Sequence, residues 1–241
     1  MGITINYKNI NYGKGHIITK LTNIILGNID ILKVISNLYI IEGNLKKKKN
    51  NDIVLKKKLW ETSVKNSVIA GLITKDEADE FFILWNTISS ENLGRVLEQI
   101  IAHLGPYNYE ELVDFDKSMD VTVDETNIEN SFDVVFFNKN FCEVIEKNKK
   151  IKITGYSEFH ECKKNVCTYI PSDYNRELKD EVKRKLDFIK NTYSLMGSGD
   201  FYIPTLYPVV NSQREFLESY NDGEYSFIEI LDIGQLHSKY S

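Results

Sequence analysis

Few cysteines, no long apolar run and no excess of positive charge bound what this 241-residue chain can be. Cys142, Cys162 and Cys167 are an odd count, and the opening MGITINYKNINYGKG lacks the apolar segment of a secretory signal. A disulfide framework is therefore not expected, and a reduced, cytoplasmic protein is. Asn6 stands where a myristoylation pattern needs serine or threonine, so lipidation is not expected either. The most apolar window, Ile17 to Ile41, is interrupted by Lys20, Asn23, Asn28, Asp30 and Lys33, and does not read as a membrane span. A net charge of -5 argues against a generally basic nucleic-acid coat, which needs lysine and arginine massed on one face. The glycines of Gly197 to Gly199 are not followed by the Lys-Ser/Thr of a phosphate loop. The Cys-x4-Cys of Cys162 and Cys167 lacks the second pair of a zinc knuckle, so three buried free thiols are expected.

What is present is a globular composition, with 42% hydrophobic, 12% aromatic and 27% charged residues. Positive charge gathers at LKKKKNNDIVLKKKLW, where Lys46 to Lys49 and Lys56 to Lys58 flank a short apolar break. Such runs are usually solvated faces. Helical spacing runs through HIITKLTNIILGNIDILKVISNLYIIEG with a break at Gly27, and again through LWETSVKNSVIAG. Thr74 and Glu77 have the spacing of a capping box and predict a helix start. A further amphipathic helix carries Leu93, Val96, Leu97, Ile100, Ile101 and Leu104 and should stop at Gly105-Pro106. Beyond it, DVTVD, FDVVFF, NFCEVIE, KIKITGY and FHECKKNVCTYI read as strands, followed by a polar helix from Tyr174 to Leu195. The tail predicts strands at FYIPTLYPVV and YSFIEILDI, with a helix at SQREFLESY between them. This order predicts an α/β fold, with residues 1–88 as a helical N-terminal subdomain and residues 89–241 as the domain that bears the chemistry.

Two carboxylates stand out. Asp133 is the lone acid of an apolar strand, sharing a face with Val135 and Phe137, and Glu161 is followed two residues later by Lys163. A buried carboxylate needs a cation or a proton. If the two strands pair, Asp133 and Glu161 converge on one hard divalent cation, with Lys163 beside it to orient a water and balance charge. A structural ion pair within the sheet is the plainer alternative. Glu158 and His160 fall on the opposite face and read as packed residues.

Asp133 in FDVVFF followed by Glu161 and Lys163 in HECKK resembles the Asp...Glu-x-Lys signature of the PD-(D/E)xK, or restriction-endonuclease-like, nuclease superfamily. Glu98 in GRVLE resembles the glutamate that many members carry on the helix before the first core strand. The likeness extends from about Asn92 to Pro204. It implies a mixed central sheet flanked by helices and Mg²⁺-dependent phosphodiester hydrolysis, with Mn²⁺ as a substitute. It implies Asp133, Glu161 and Glu98 as metal ligands and Lys163 as a catalytic partner. No proline precedes Asp133, and the long interval to Glu161 has room for an extra hairpin. DNA is the expected partner, contacted by Lys163 and Lys164, and a role in restriction or antiphage defence, with a homodimer or a regulatory subunit, follows by analogy. Two other classes remain open: a non-catalytic nucleic-acid-binding or assembly subunit that keeps the fold, and a phosphoryl hydrolase acting on a small molecule.

Overall fold

The computed structural model describes residues 2–8, 10–47, 53–108, 110, 112–126, 128–146, 149–173 and 176–241. Within them the chain forms β1 (Ile3–Asn6), α1 (Ile17–Gly27), α2 (Ile31–Lys47), α3 (Ile53–Ile69), α4 (Lys75–Thr87) and α5 (Ser90–Leu104). Then come β2 (Phe115–Val123), β3 (Phe132–Asn138), β4 (Cys142–Glu146), β5 (Lys150–Ile153) and β6 (Ser157–His160). The chain closes with α6 (Asp180–Met196), β7 (Asp200–Pro204), α7 (Asn211–Ser219), β8 (Ile228–Leu231) and α8 (Ile233–Tyr240). No single helix among the described residues is long and apolar enough to cross a membrane.

The strands make one mixed sheet of eight in the order β4-β5-β1-β2-β3-β6-β7-β8. Neighbours are antiparallel except β6-β7 and β7-β8, which run parallel and are connected through α6 and α7. The extra hairpin expected between Asp133 and Glu161 is β4-β5. It swings to the far edge and pairs with β1, so that β6 returns beside β3.

Each face of the sheet is covered. Helices α1 to α5 and α8 share a core with Val134, Phe136, Tyr202 and Leu231 on one side. On the other, α6 and α7 pack on Val135, Phe137, Phe159, Phe201 and Ile203. There Phe132 lies 4.8 Å from Phe188 and 5.0 Å from Phe159 between ring centroids, and Phe159 stacks on Phe201 at 4.6 Å. Such ring pairs stabilise by roughly 0.5–1.5 kcal/mol each beyond their buried area.

Local signals explain several boundaries. Thr74 and Glu77 form the reciprocal capping box at the start of α4. Ser89 caps α5, and Gly105 ends it at φ 93°, a conformation that only glycine adopts cheaply. The described residues of 1–88 form α1 to α4 from Ile17 onward, but they also supply β1 to the sheet, and α1 to α4 share one continuous core with α5 and the sheet. The polar helix begins later than its sequence suggests, at Asp180, and Tyr174 lies outside the described residues, as do Lys48 and Lys49. The strand read into FHECKKNVCTYI stops at His160 and gives way to a short 3₁₀ turn at Val166–Thr168. Only Cys162 is buried; Cys142 and Cys167 are half-buried, and all three thiols are free.

Candidate functional site

The site forms where β3 begins and β6 ends. Pairing of Val135 with Phe159 and of Val134 with His160 brings Asp133 to the level of Glu161, one step beyond the last paired residues. On its other side β3 pairs Val134 with Met119 and Phe132 with Val121, skipping Asp133 and Asp120. Asp120 takes a left-handed φ of 51°, which a short acid tolerates better than most residues. Phe132 and Val135 both enter the α6-side core while Val134 enters the other, so Asp133 sits at a break in the strand's alternation. The residue out of phase with the alternation read from the sequence is Phe132, which joins the same core as Val135 and Phe137.

Asp133 Oδ2 accepts a hydrogen bond from the Cys162 amide at 2.7 Å. Glu161 is 2% exposed, and its two oxygens are held by different ammonium groups. Lys163 binds Oε1, and Lys185 of α6 binds Oε2 at 2.7 Å while also donating to the Ser131 carbonyl. Lys163 itself is placed by its amide, which donates to the Pro204 carbonyl at 2.9 Å, in a lone parallel bridge with Thr205. Glu98 reaches the cluster from α5, 8% exposed and paired with Arg95 at 2.9 Å.

The carboxyls influence one another. Burial, then the nearby Glu161 and Glu98 charges, push Asp133 up to about 8, against the opposing pull of Lys163 and Lys185. Glu98 is also raised, by burial first, with Glu161 adding to the effect and Arg95 opposing it. Burial would raise Glu161 too, but the Lys163 and Lys185 ammoniums outweigh it and hold the carboxyl below its usual range. For Lys163 burial acts downward and the Glu161 and Asp133 charges more than compensate, so it stays protonated. The ring of Tyr169 lies 5.0 Å from the Lys163 nitrogen, and its hydroxyl is enclosed with no hydrogen-bond partner among the described residues.

All four acids and bases named from the sequence, Glu98, Asp133, Glu161 and Lys163, are therefore electrostatic neighbours. Lys164 turns outward to Ser90 at the head of α5. Lys185 is the member that sequence reasoning missed. It stands among Lys183, Arg184 and Asp187 in a helix that reads as solvated, and its only signal is adjacency to the apolar positions Val182, Leu186 and Ile189. Of the lysine runs pointed to earlier, Lys56 pairs with Glu42 at 3.1 Å and covers the Trp60 ring.

Glu158 and His160 face the opposite core, as expected. Glu158, fully buried, accepts from the amides of Tyr107 and Asn108 at 2.7 and 2.6 Å and contacts His160 Nε2 at 3.0 Å. It ties the turn after α5 to the sheet, which is a structural task.

Among the described residues no group of three or more His, Cys, Asp or Glu side chains is arranged to hold a metal ion. The chemistry of the donor set nevertheless suits a hard divalent cation: oxygen donors only, two of them disfavoured as anions by burial and by the Glu161 charge. Fold and site together define a mixed α/β protein whose eight-stranded sheet carries a buried acid–lysine cluster at the end of a strand pair. No family model and no curated protein matches the chain.

Proposed function

We propose that this protein is a Mg²⁺-dependent nuclease of the PD-(D/E)xK kind, hydrolysing phosphodiester bonds with DNA as substrate. The observation that carries this reading is the meeting of Asp133, Glu161 and Lys163 at one end of the β3-β6 pair, with Glu98 arriving from α5. The element order supports it: a helix, three antiparallel strands β2-β3-β6, a helix, and a strand parallel to β6. A mixed central sheet flanked by helices is what the resemblance implies.

Asp133 and Glu161 would hold the ion, with Glu98 as a further carboxylate. Bound there, Mg²⁺ supplies Lewis-acid activation of the scissile phosphate. Lys163, which neutralises Glu161 in this structure, would then orient the attacking water and offset charge on the pentavalent phosphorus. The water oxygen would form the new bond to phosphorus and lose its proton to solvent, while the P–O bond to the leaving sugar breaks and the leaving oxygen takes a proton from solvent. Lys185, fixed between Glu161 and the Ser131 carbonyl, keeps the glutamate oriented throughout.

A second reading has its own observation. With both Glu161 oxygens engaged by lysines, the cluster is self-neutralised, as a non-catalytic nucleic-acid-binding or assembly subunit would have it. Incubating supercoiled plasmid, linear duplex, single-stranded DNA and RNA with Mg²⁺, Mn²⁺ or EDTA separates the two. The nuclease reading expects metal-dependent cutting that Glu161→Ala and Lys163→Ala abolish; cutting that survives both substitutions contradicts it.

A further inference from the structure

The loop between β1 and α1 carries Tyr12, Gly13, Lys14, Gly15 and His16. The rings of Tyr12 and His16 stack, with centroids 5.1 Å apart and planes 27° from parallel. Both are anchored to the first turn of α1: His16 Nδ1 accepts from the Ile18 amide at 3.3 Å, and the Tyr12 carbonyl accepts from Thr19 Oγ1 at 3.2 Å. Lys14 and His16 are exposed. Gly13 and Gly15 have no left-handed φ, and a Cβ on either would meet nothing within 4 Å. Neither turn geometry nor internal packing therefore asks for glycine at these two positions. What glycine leaves there is bare backbone open to close approach from outside.

This loop lies beside the acid–lysine cluster. Helix α1 packs along α5, and Tyr12 is within electrostatic reach of Glu91, Arg95 and Glu98, the last of which belongs to the cluster. Lys164 is fixed at the same end of α5, on Ser90. The N-terminal half of α5 thus carries an aromatic pair, Arg95 and Lys164 next to the carboxylates, with Glu91 and Glu98 as the acids among them. Stacking rings with interspersed cations recognise single strands, because a duplex keeps its base faces covered.

The geometry points to a single-stranded nucleic-acid segment as the ligand of this face, with one base stacked on the Tyr12–His16 pair. Its phosphates meet Lys14, Lys164 and Arg95 on the way to Glu161. The inference rests on the nuclease reading for where the strand leads, but binding itself requires no catalysis.

The test is fluorescence anisotropy on the full chain in EDTA, with an end-labelled single-stranded oligonucleotide and the same sequence as a blunt duplex. The expected result is single-strand binding at least about tenfold tighter than duplex binding, and a loss of about tenfold for the single strand in Tyr12→Ala, the size of one stacked base. Tyr12→Phe should restore it, which separates stacking from misfolding, and a 2-aminopurine base in the strand should be quenched by wild type and not by Tyr12→Ala. Equal or tighter duplex binding, or unchanged single-strand affinity in Tyr12→Ala, overturns the inference. If that happens while Mg²⁺-dependent cutting persists, the nuclease reading stands alone. If the strand binds as described and Mg²⁺ produces no cutting, the nuclease reading falls and the binding face remains.

Discussion

Glu158 and Glu161 are three residues apart, both buried, and face opposite sides of the sheet. Glu158 is satisfied by two backbone amides at fixed positions and a histidine; Glu161 is satisfied by two lysine side chains. Backbone amides are part of the fold and cannot leave, whereas an ammonium on a four-carbon stem can be exchanged for another cation. Both oxygens of Glu158 have a backbone donor. Around Glu161, the Asp133 and Glu98 carboxyls are pushed upward by burial and by the Glu161 charge, which is the imbalance that the proposed divalent cation would relieve. Burial alone does not separate a structural carboxylate from a chemical one. The mobility of whatever neutralises it does.

The largest expected difference between the two sides is in activity. Glu161→Ala should lower Mg²⁺-dependent cleavage by on the order of 10²–10³-fold, measured as initial rates on the best substrate of the panel. Glu158→Ala should leave the rate per folded molecule within about twofold but cost about 3 kcal/mol in urea unfolding, because the Tyr107 and Asn108 amides lose their acceptor in a buried place. If Glu158→Ala proves the more damaging to catalysis, the assignment of the two faces is reversed. Lys185→Met comes next: a residue that orients a ligand without touching substrate typically accounts for about tenfold in metal affinity or rate.

A separate effect is in stability against pH. Burial and the Glu161 charge push Asp133 up to about 8 in the fold from an ordinary 3.8, so between those values the folded state holds a proton that the unfolded chain has lost. Its contribution is therefore present at low pH and lost as pH rises through that window. Glu161, lowered by its lysines, has the opposite sign and loses its contribution as pH falls below the ordinary carboxylate range. Urea melts of wild type and Asp133→Asn at about pH 5 and pH 8 should show the wild type losing stability relative to the variant at the higher pH. Identical slopes would show that Asp133 is not the group responsible.

Much of the site was legible because it is local in sequence. A lone acid in FDVVFF and the Glu-x-Lys of HECKK each announce a buried charge that needs a partner, and α5 with Glu98 is delimited by a serine cap and Gly105-Pro106. The remainder depends on pairings across long stretches of chain. Nothing in ITIN predicts that β1 joins β5 to β2, or that the β4-β5 hairpin moves away so that Val135 can face Phe159. Lys185 was hidden for a related reason: its partner lies 24 residues earlier on another element, and its own helix has too many charges for one to stand out. The missing beat at Asp120 and Asp133 is a property of the ladder, not of either residue alone.

The most direct measurement is calorimetric titration of Mn²⁺ or Mg²⁺ into the wild-type protein, Glu161→Gln and Glu158→Gln. If the acid–lysine cluster is a divalent-cation site, the wild type and Glu158→Gln bind the ion and Glu161→Gln loses it. A wild type that takes up no ion, or a Glu161→Gln that binds it as well as the wild type, would contradict the central claim and leave the cluster as a buried ion-pair network.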